Sequence, residues 1–284
     1  MMKLKNLICD TEQIANDILQ NWEHDSDSLN FWRGSSNYVY FFTYKNKKYW
    51  LRFSKKDENS LKQIKAEIEF LLYLNNNGYP SVNPIKSKND NYVEVVERQL
   101  ETYYAVVFDK ADGVNLDIEN ITESQLEYWG KALASLHSLS ISFQPKEYVR
   151  KNWKDMLKFA DDILNNFANE KNAIEELNKI ERWLNSLSVT NENYGLIHYD
   201  FELDNIFWNE QSKEFNIIDF DDSMYHWYVM DIAYALRDLY ELEDSEAKHG
   251  LQAFLKGYRS VMNIEEEYIQ LLPRFTRFGN LITF

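Results

Sequence analysis

The chain of 284 residues carries a formal charge of −15, is 44% hydrophobic and 15% aromatic, and has one cysteine, Cys9. Its length suits one large core or a two-lobed unit sharing a cleft, because single cores stop growing at roughly 250–300 residues. The acidic balance argues against nucleic-acid binding, which needs a basic surface to displace counterions. No apolar run approaches the roughly 20 residues of a membrane span, and a lone cysteine closes no intrachain disulfide, in keeping with a cytoplasmic protein. The opening MMKLKNLIC is too short for the apolar segment of a secretory signal.

After Thr11, the spacing of Ile14, Ile18 and Leu19 predicts a helix. From Leu29 onwards aromatic and β-branched residues predict strands, most clearly over 38–44 and 49–53, joined by a turn at Lys45-Asn46-Lys47. Leu61, Ile64, Ile68, Leu71 and Leu74 mark a helix over 60–76 that Asn77-Gly78 closes. Strands resume over 92–96 and 103–108. Beyond Asp112-Gly113 the pattern is mainly helical: one helix through Leu126, Trp129, Leu133 and Leu136, others over 149–167 and 173–187, and more from about Trp227. Strands with one long helix followed by a helical part predict an α+β plan of two lobes, 1–108 and 109–284.

The chemistry concentrates in LIHYDFELDNIFW and NIIDFDD. The apolar runs 206–208 and 215–218 read as an antiparallel hairpin. Asn205 enters its first strand and Asp219 leaves its second, so the two ends are neighbours and both oxygens can reach one metal cluster. Asp200 lies in the loop that leads in. Phosphoryl transfer needs cations on the phosphate oxygens, hard oxygen ligands for those cations, and a carboxylate to orient the attacking hydroxyl. Asn205 and Asp219 are the expected ligands and Asp200 the expected base. Asp, four residues, Asn, a hairpin and Asp-Phe, in that order, form the protein-kinase signature.

With these motifs the sequence resembles the aminoglycoside phosphotransferase and choline kinase superfamily, protein-kinase-like enzymes that phosphorylate small alcohols. GSSNYVYFF, YWLRFS, AEIEFLLYLNNNGYPSVNPI, FDKADG and GKALASLHSL extend the resemblance over most of the chain. The resemblance implies a protein-kinase-like two-lobed fold and an enzyme using ATP, with GTP as the alternative, together with Mg. The implied acceptor is a small hydroxylated molecule such as an aminoglycoside, amino alcohol, homoserine or sugar, and the acidic charge admits a cationic one. Carried over by position, it implies Asp200 as base and Asn205 and Asp219 as metal ligands. Arg52 stands where the family has lysine, with Glu67 as its helix partner. Ser35 and Ser36 would cover the phosphates, and the connection through Val107, Phe108 and Lys110 would receive the base. Besides Arg52, the chain departs from the family at Tyr199, where glycine is usual, and in the glycine-poor turn Gly34-Ser35-Ser36-Asn37.

Of the neighbouring residues, His198 is expected to shape the loop by hydrogen bonding and His137 to be a packed helix residue. Asp231 is expected to anchor the catalytic loop by capping the helix through Ala235 and Leu236. Tyr199 is expected to point outward or narrow the cleft. Two rival readings are an atypical protein Ser/Thr kinase and a nucleotide-binding regulator without catalysis. The first lacks HRD, an APE-like segment and a long activation loop between Asp219 and Trp227. The second is motivated by Arg52 and Tyr199, while the base and metal positions are intact.

Overall fold

The computed structural model describes residues 2–34, 37–98, 100–167 and 169–283. The chain divides into two compact units, the first comprising Met1–Asn76, Ser81–Ala111 and Pro145–Val149, the second Asn77–Pro80, Asp112–Gln144 and Arg150–Phe284.

In the first unit, helix α1 (Met2–Leu19) precedes strands β1 (Asn30–Gly34), β2 (Tyr38–Tyr44) and β3 (Lys47–Lys55). Helix α2 (Leu61–Asn76) and strands β4 (Pro84–Ile85), β5 (Glu94–Arg98) and β6 (Glu101–Asp109) follow. The sheet order is β1-β2-β3-β6-β4, with β5 also on β6. Tyr44 pairs with Lys47, so the β2–β3 turn is Lys45-Asn46 alone, with φ of 51° and 63°. Two left-handed residues match the right-handed twist of the strands they join, and Lys47 already belongs to β3. Ala15, Ile18, Leu19 and Trp22 bury against Tyr40, Phe42, Leu51, Phe53, Tyr103, Ala105 and Val107. Because strand side chains alternate, Trp50, Arg52, Val106 and Phe108 belong to the opposite face. Residues 145–149 return to α2: the Lys146 N–H donates to Glu69 at 2.5 Å, and Gln63 Nε2 donates to the Val149 carbonyl at 3.1 Å.

The second unit begins its helices with α3 (Glu123–Ser142), α4 (Trp153–Leu164) and α5 (Lys171–Ser186). Strand β7 (Tyr194–Ile197) pairs with β10 (Met224–Trp227), and β8 (Ile206–Asn209) with β9 (Glu214–Ile217). Helices α6 (Tyr228–Ala235), α7 (Asp244–Arg259), α8 (Glu266–Ile269) and α9 (Leu272–Thr283) complete it. Helices α3 and α7 approach so closely that a Cβ on Gly130 would lie 1.9 Å from the Phe254 carbonyl oxygen, and one on Gly257 1.8 Å from that of Glu127. Only glycine permits that crossing.

One expected boundary moves. The helix expected over 149–167 starts at Trp153, because Asn152 is its N-cap: its side chain accepts from the Lys154 N–H at 2.8 Å while Asp155 accepts the Asn152 N–H at 2.8 Å. The β7–β10 ladder was hidden because strands of four residues give little periodic signal. Among the described residues no helix is long and apolar enough to cross a membrane.

Candidate active site

The loop 198–205 joins β7 to β8 and is anchored from below by α6. Asp231, fully buried, accepts the backbone N–H of His198 at 2.8 Å and of Tyr199 at 2.6 Å, and receives His137 Nε2 at 3.0 Å. Asp231 thus anchors the loop, but it does not cap α6. It lies inside the helix, whose N-cap is Trp227 with no side-chain capping bond, and its carboxylate is aimed at the loop. Burial lowers the pKa of His137, which is therefore neutral. With Nε2 donating to Asp231, Nδ1 accepts from the Tyr258 hydroxyl at 2.8 Å.

His198 shapes the loop, as its position suggested. Its Nδ1 accepts the Asp200 N–H at 3.2 Å, which fixes Nε2 as donor to the Ile218 carbonyl at 2.9 Å. The ring is fully buried, with Phe220 4.5 Å away by centroid. Ile218 N–H in turn donates to the Asn205 carbonyl at 2.9 Å. Asn205 Nδ2 donates to the Asp200 carbonyl at 3.0 Å and to Asp200 Oδ2 at 2.7 Å. The loop of Asp200 and the turn that leads to Asp219 are therefore one hydrogen-bonded frame, closed through His198, Ile218 and Asn205. Asn115 Nδ2 braces the same turn by donating to the carbonyls of Leu203, Asp204 and Ile206.

Asp219 follows β9 with φ 64° and ψ 61°, the left-handed region in which a short polar side chain is tolerated. A turn over Phe220–Asp222 follows it. With Asn205 Nδ2 occupied as a donor, its Oδ1 is the atom left for coordination. Amide and carboxylate oxygens are a hard donor set suited to Mg2+, which keeps waters and phosphate oxygens in its other positions. Among the described residues no three His, Cys, Asp or Glu side chains converge as a metal cluster.

Tyr199 does not point outward. It is buried, with φ 75°, its ring 4.8 Å from that of Tyr234. A left-handed backbone is strained for a bulky residue and is freely open only to glycine. Burial of the ring on Tyr234 is what the chain has in exchange. Three residues on, Glu202 pairs with Arg237 at 2.6 Å, and its Oε1 is buried without a hydrogen-bond partner. Burial, then the charge of Asp200, pushes its carboxyl up to about 7. Asp222 is likewise raised to about 6, by burial first and Asp221 second. Nothing in the sequence pattern singled out Glu202, whose burial is a product of tertiary packing.

In the first unit, Arg52 and Glu67 form an ion pair at 2.6 Å, 8% and 1% exposed, with the Arg52 guanidinium 5.2 Å from the centre of the Phe108 ring. Glu69, the alternative on the same helix, instead accepts from Lys146. Val107 and Phe108 sit inside β6 with β3 on one side and β4 on the other. The ladder ends at Asp109, and Lys110 is exposed beyond it. Ser35 and Ser36 lie outside the described residues.

The profile of the phosphotransferase enzyme family matches residues 29–264. The chain belongs to this family. Amicoumacin kinase of Bacillus subtilis (strain 168) is 24% identical over 289 residues, covering 96% of this chain and 83% of that one. Among solved structures, amicoumacin kinase hAmiN in complex with AMP-PNP, Ca2+ and Ami superposes with a TM-score of 0.88 at 21% identity, covering 100% and 87% of the two chains. A microcompartment-associated aminopropanol kinase reaches 0.73 at 21% identity, covering 95% and 87%. This phosphotransferase thus has the fold of the protein-kinase-like small-molecule kinases.

Proposed function

We propose that the protein transfers the γ-phosphate of ATP, with Mg2+, to a hydroxyl of a small cationic molecule. The observation that carries this is the hydrogen bond from Asn205 Nδ2 to Asp200 Oδ2 at 2.7 Å, which ties a hard-oxygen ligand to a carboxylate aimed by the same loop. A bound Mg2+ held by Asn205 Oδ1 and Asp219 would neutralise charge on the transferring phosphate. Asp200 Oδ1 would accept the acceptor's proton as the hydroxyl oxygen bonds to the γ-phosphorus and the β,γ-bridging oxygen departs with ADP. Asn205, by holding Oδ2, keeps Oδ1 turned to the hydroxyl. Arg52, oriented by Glu67, is the proposed grip on the nucleotide's phosphates, and the backbone near Lys110, with Val107 and Phe108 leading to it, the proposed base site. The nucleotide and divalent ion of the solved amicoumacin kinase complex support this reading. The acidic residues that raise Glu202, namely Asp200, Asp238 and Asp204, favour a cationic acceptor.

A panel of aminoglycosides, amino alcohols, homoserine and sugars, read by ADP release with ATP or GTP, tests the proposal. Mg2+-dependent turnover confined to amine-bearing alcohols is expected. Turnover confined to neutral sugars would remove the cationic acceptor, and none with any acceptor, despite Mg2+-dependent nucleotide binding, would favour a regulator.

A further inference from the structure

Arg150 is 5% exposed, an unusual burial for a guanidinium. Its Nε donates to the Ser223 carbonyl at 2.7 Å, and its second terminal nitrogen to the Asp221 carbonyl. Both acceptors belong to the turn immediately after Asp219. The next residues continue the attachment: Tyr225 N–H donates to the Lys151 carbonyl at 2.8 Å, Asn152 bridges Tyr225 in parallel, and Asn152 then caps α4. Residues 150–152 are therefore a strap laid along 221–225 and fastened at its far end to a helix. Its charge also counts, since Arg150 and Lys151 both oppose the upward push on Asp222.

We infer that Arg150 is a positioning residue for the metal site, its planar fork holding two carbonyls of the turn so that Asp219 keeps the left-handed backbone from which its carboxylate is presented. The inference rests on the metal assignment made above. Asp219 departs from the favoured backbone regions, and such a conformation persists only where its surroundings over-determine it. One side is fixed by Ile218 on Asn205, and the other by Arg150. Lysine keeps the charge but lacks the fork, so it cannot hold both carbonyls in fixed geometry.

The test is calorimetric binding of AMP-PNP to the whole chain, with Mg2+ and with EDTA, for wild type, Arg150→Lys and Arg150→Met. Wild type should bind more tightly with Mg2+. Arg150→Lys should lose about tenfold of the Mg2+-supported affinity while its EDTA affinity stays within about twofold, and its Mg2+ requirement should rise. Equal losses with and without Mg2+, or no loss, would overturn the inference. If Arg150→Met does not fold, Arg150→Lys, which retains the buried charge, decides alone. Wild type binding equally with and without Mg2+ would overturn the metal assignment, and the inference with it.

Discussion

Asn205 holds Asp200 by its own side chain, Nδ2 donating to Oδ2 at 2.7 Å and to the carbonyl at 3.0 Å. Under the proposed mechanism one residue would thus have two duties, positioning the proposed base and offering Oδ1 to the proposed metal. Replacing it with aspartate would set two carboxylates at hydrogen-bonding distance, and like charges so close cannot both ionise readily. For Asn205→Asp, the acid limb of the kcat/KM profile should move up by about one pH unit or more. A profile superimposable on wild type would show that Asn205 does not control the state of Asp200.

Glu202 gives the native state a signed pH dependence. Its folded pKa, about 7 against an ordinary 4.5, means that the folded chain binds this proton more tightly than the unfolded one. The contribution is full below 4.5 and lost as pH rises through 7, by on the order of 1.4 kcal/mol per unit in between. Glu202→Gln, neutral throughout, should therefore gain thermal stability over wild type as pH is raised from 4.5 to 8. A difference in Tm that is flat or shrinks over that range contradicts the burial assigned to this carboxyl.

His226 acts in the opposite direction. It is fully buried among Trp227, Phe275 and Phe278, and burial pushes it down to about 3 from 6.5. The unfolded chain takes up a proton below 6.5 and the folded one does not until about 3, so stability falls with pH across that window. His137, also lowered by burial, adds to the slope. His226→Phe should flatten the acid side of a urea-unfolding series between pH 6.5 and 4, and an unchanged slope would remove His226 as its source.

Asp231 supports the loop at two backbone donors and one histidine. Asp231→Ala would leave those buried donors without a partner, at a cost of about 3 to 5 kcal/mol. Tyr199→Phe removes a hydroxyl whose contact with the Tyr234 hydroxyl is long, 3.4 Å, and should cost less than about 1 kcal/mol. Chemical denaturation orders the two, and a Tyr199→Phe effect as large as that of Asp231→Ala would refute this account of the loop.

The parts of the fold with strong periodicity were legible in the sequence: α2, the β2–β3 pair, α3 and the hairpin β8–β9 follow from apolar spacing and turn residues. The order of His198, Asp200, Asn205 and Asp219 disclosed that they share one corner of the fold, because a hairpin converts their separation into neighbourhood. What stayed hidden depends on contacts distant in the chain. Asp231 was expected to anchor the loop by capping its helix, whereas its carboxylate points out of that helix to a loop more than thirty residues earlier, and Tyr199 is buried in a backbone region that its residue type disfavours. Arg150, just before α4, looks like any solvated charge until the turn beyond Asp219 is seen folded against it.

The central claim is that Asp200 accepts the proton of the acceptor hydroxyl. It is tested most directly by Asp200→Asn in the ADP-release assay, with Mg2+-AMP-PNP binding measured on the same preparation. The account predicts turnover reduced by about 10²-fold or more, with nucleotide affinity within about threefold of wild type. Turnover retained at the wild-type level with the same acceptor would contradict it.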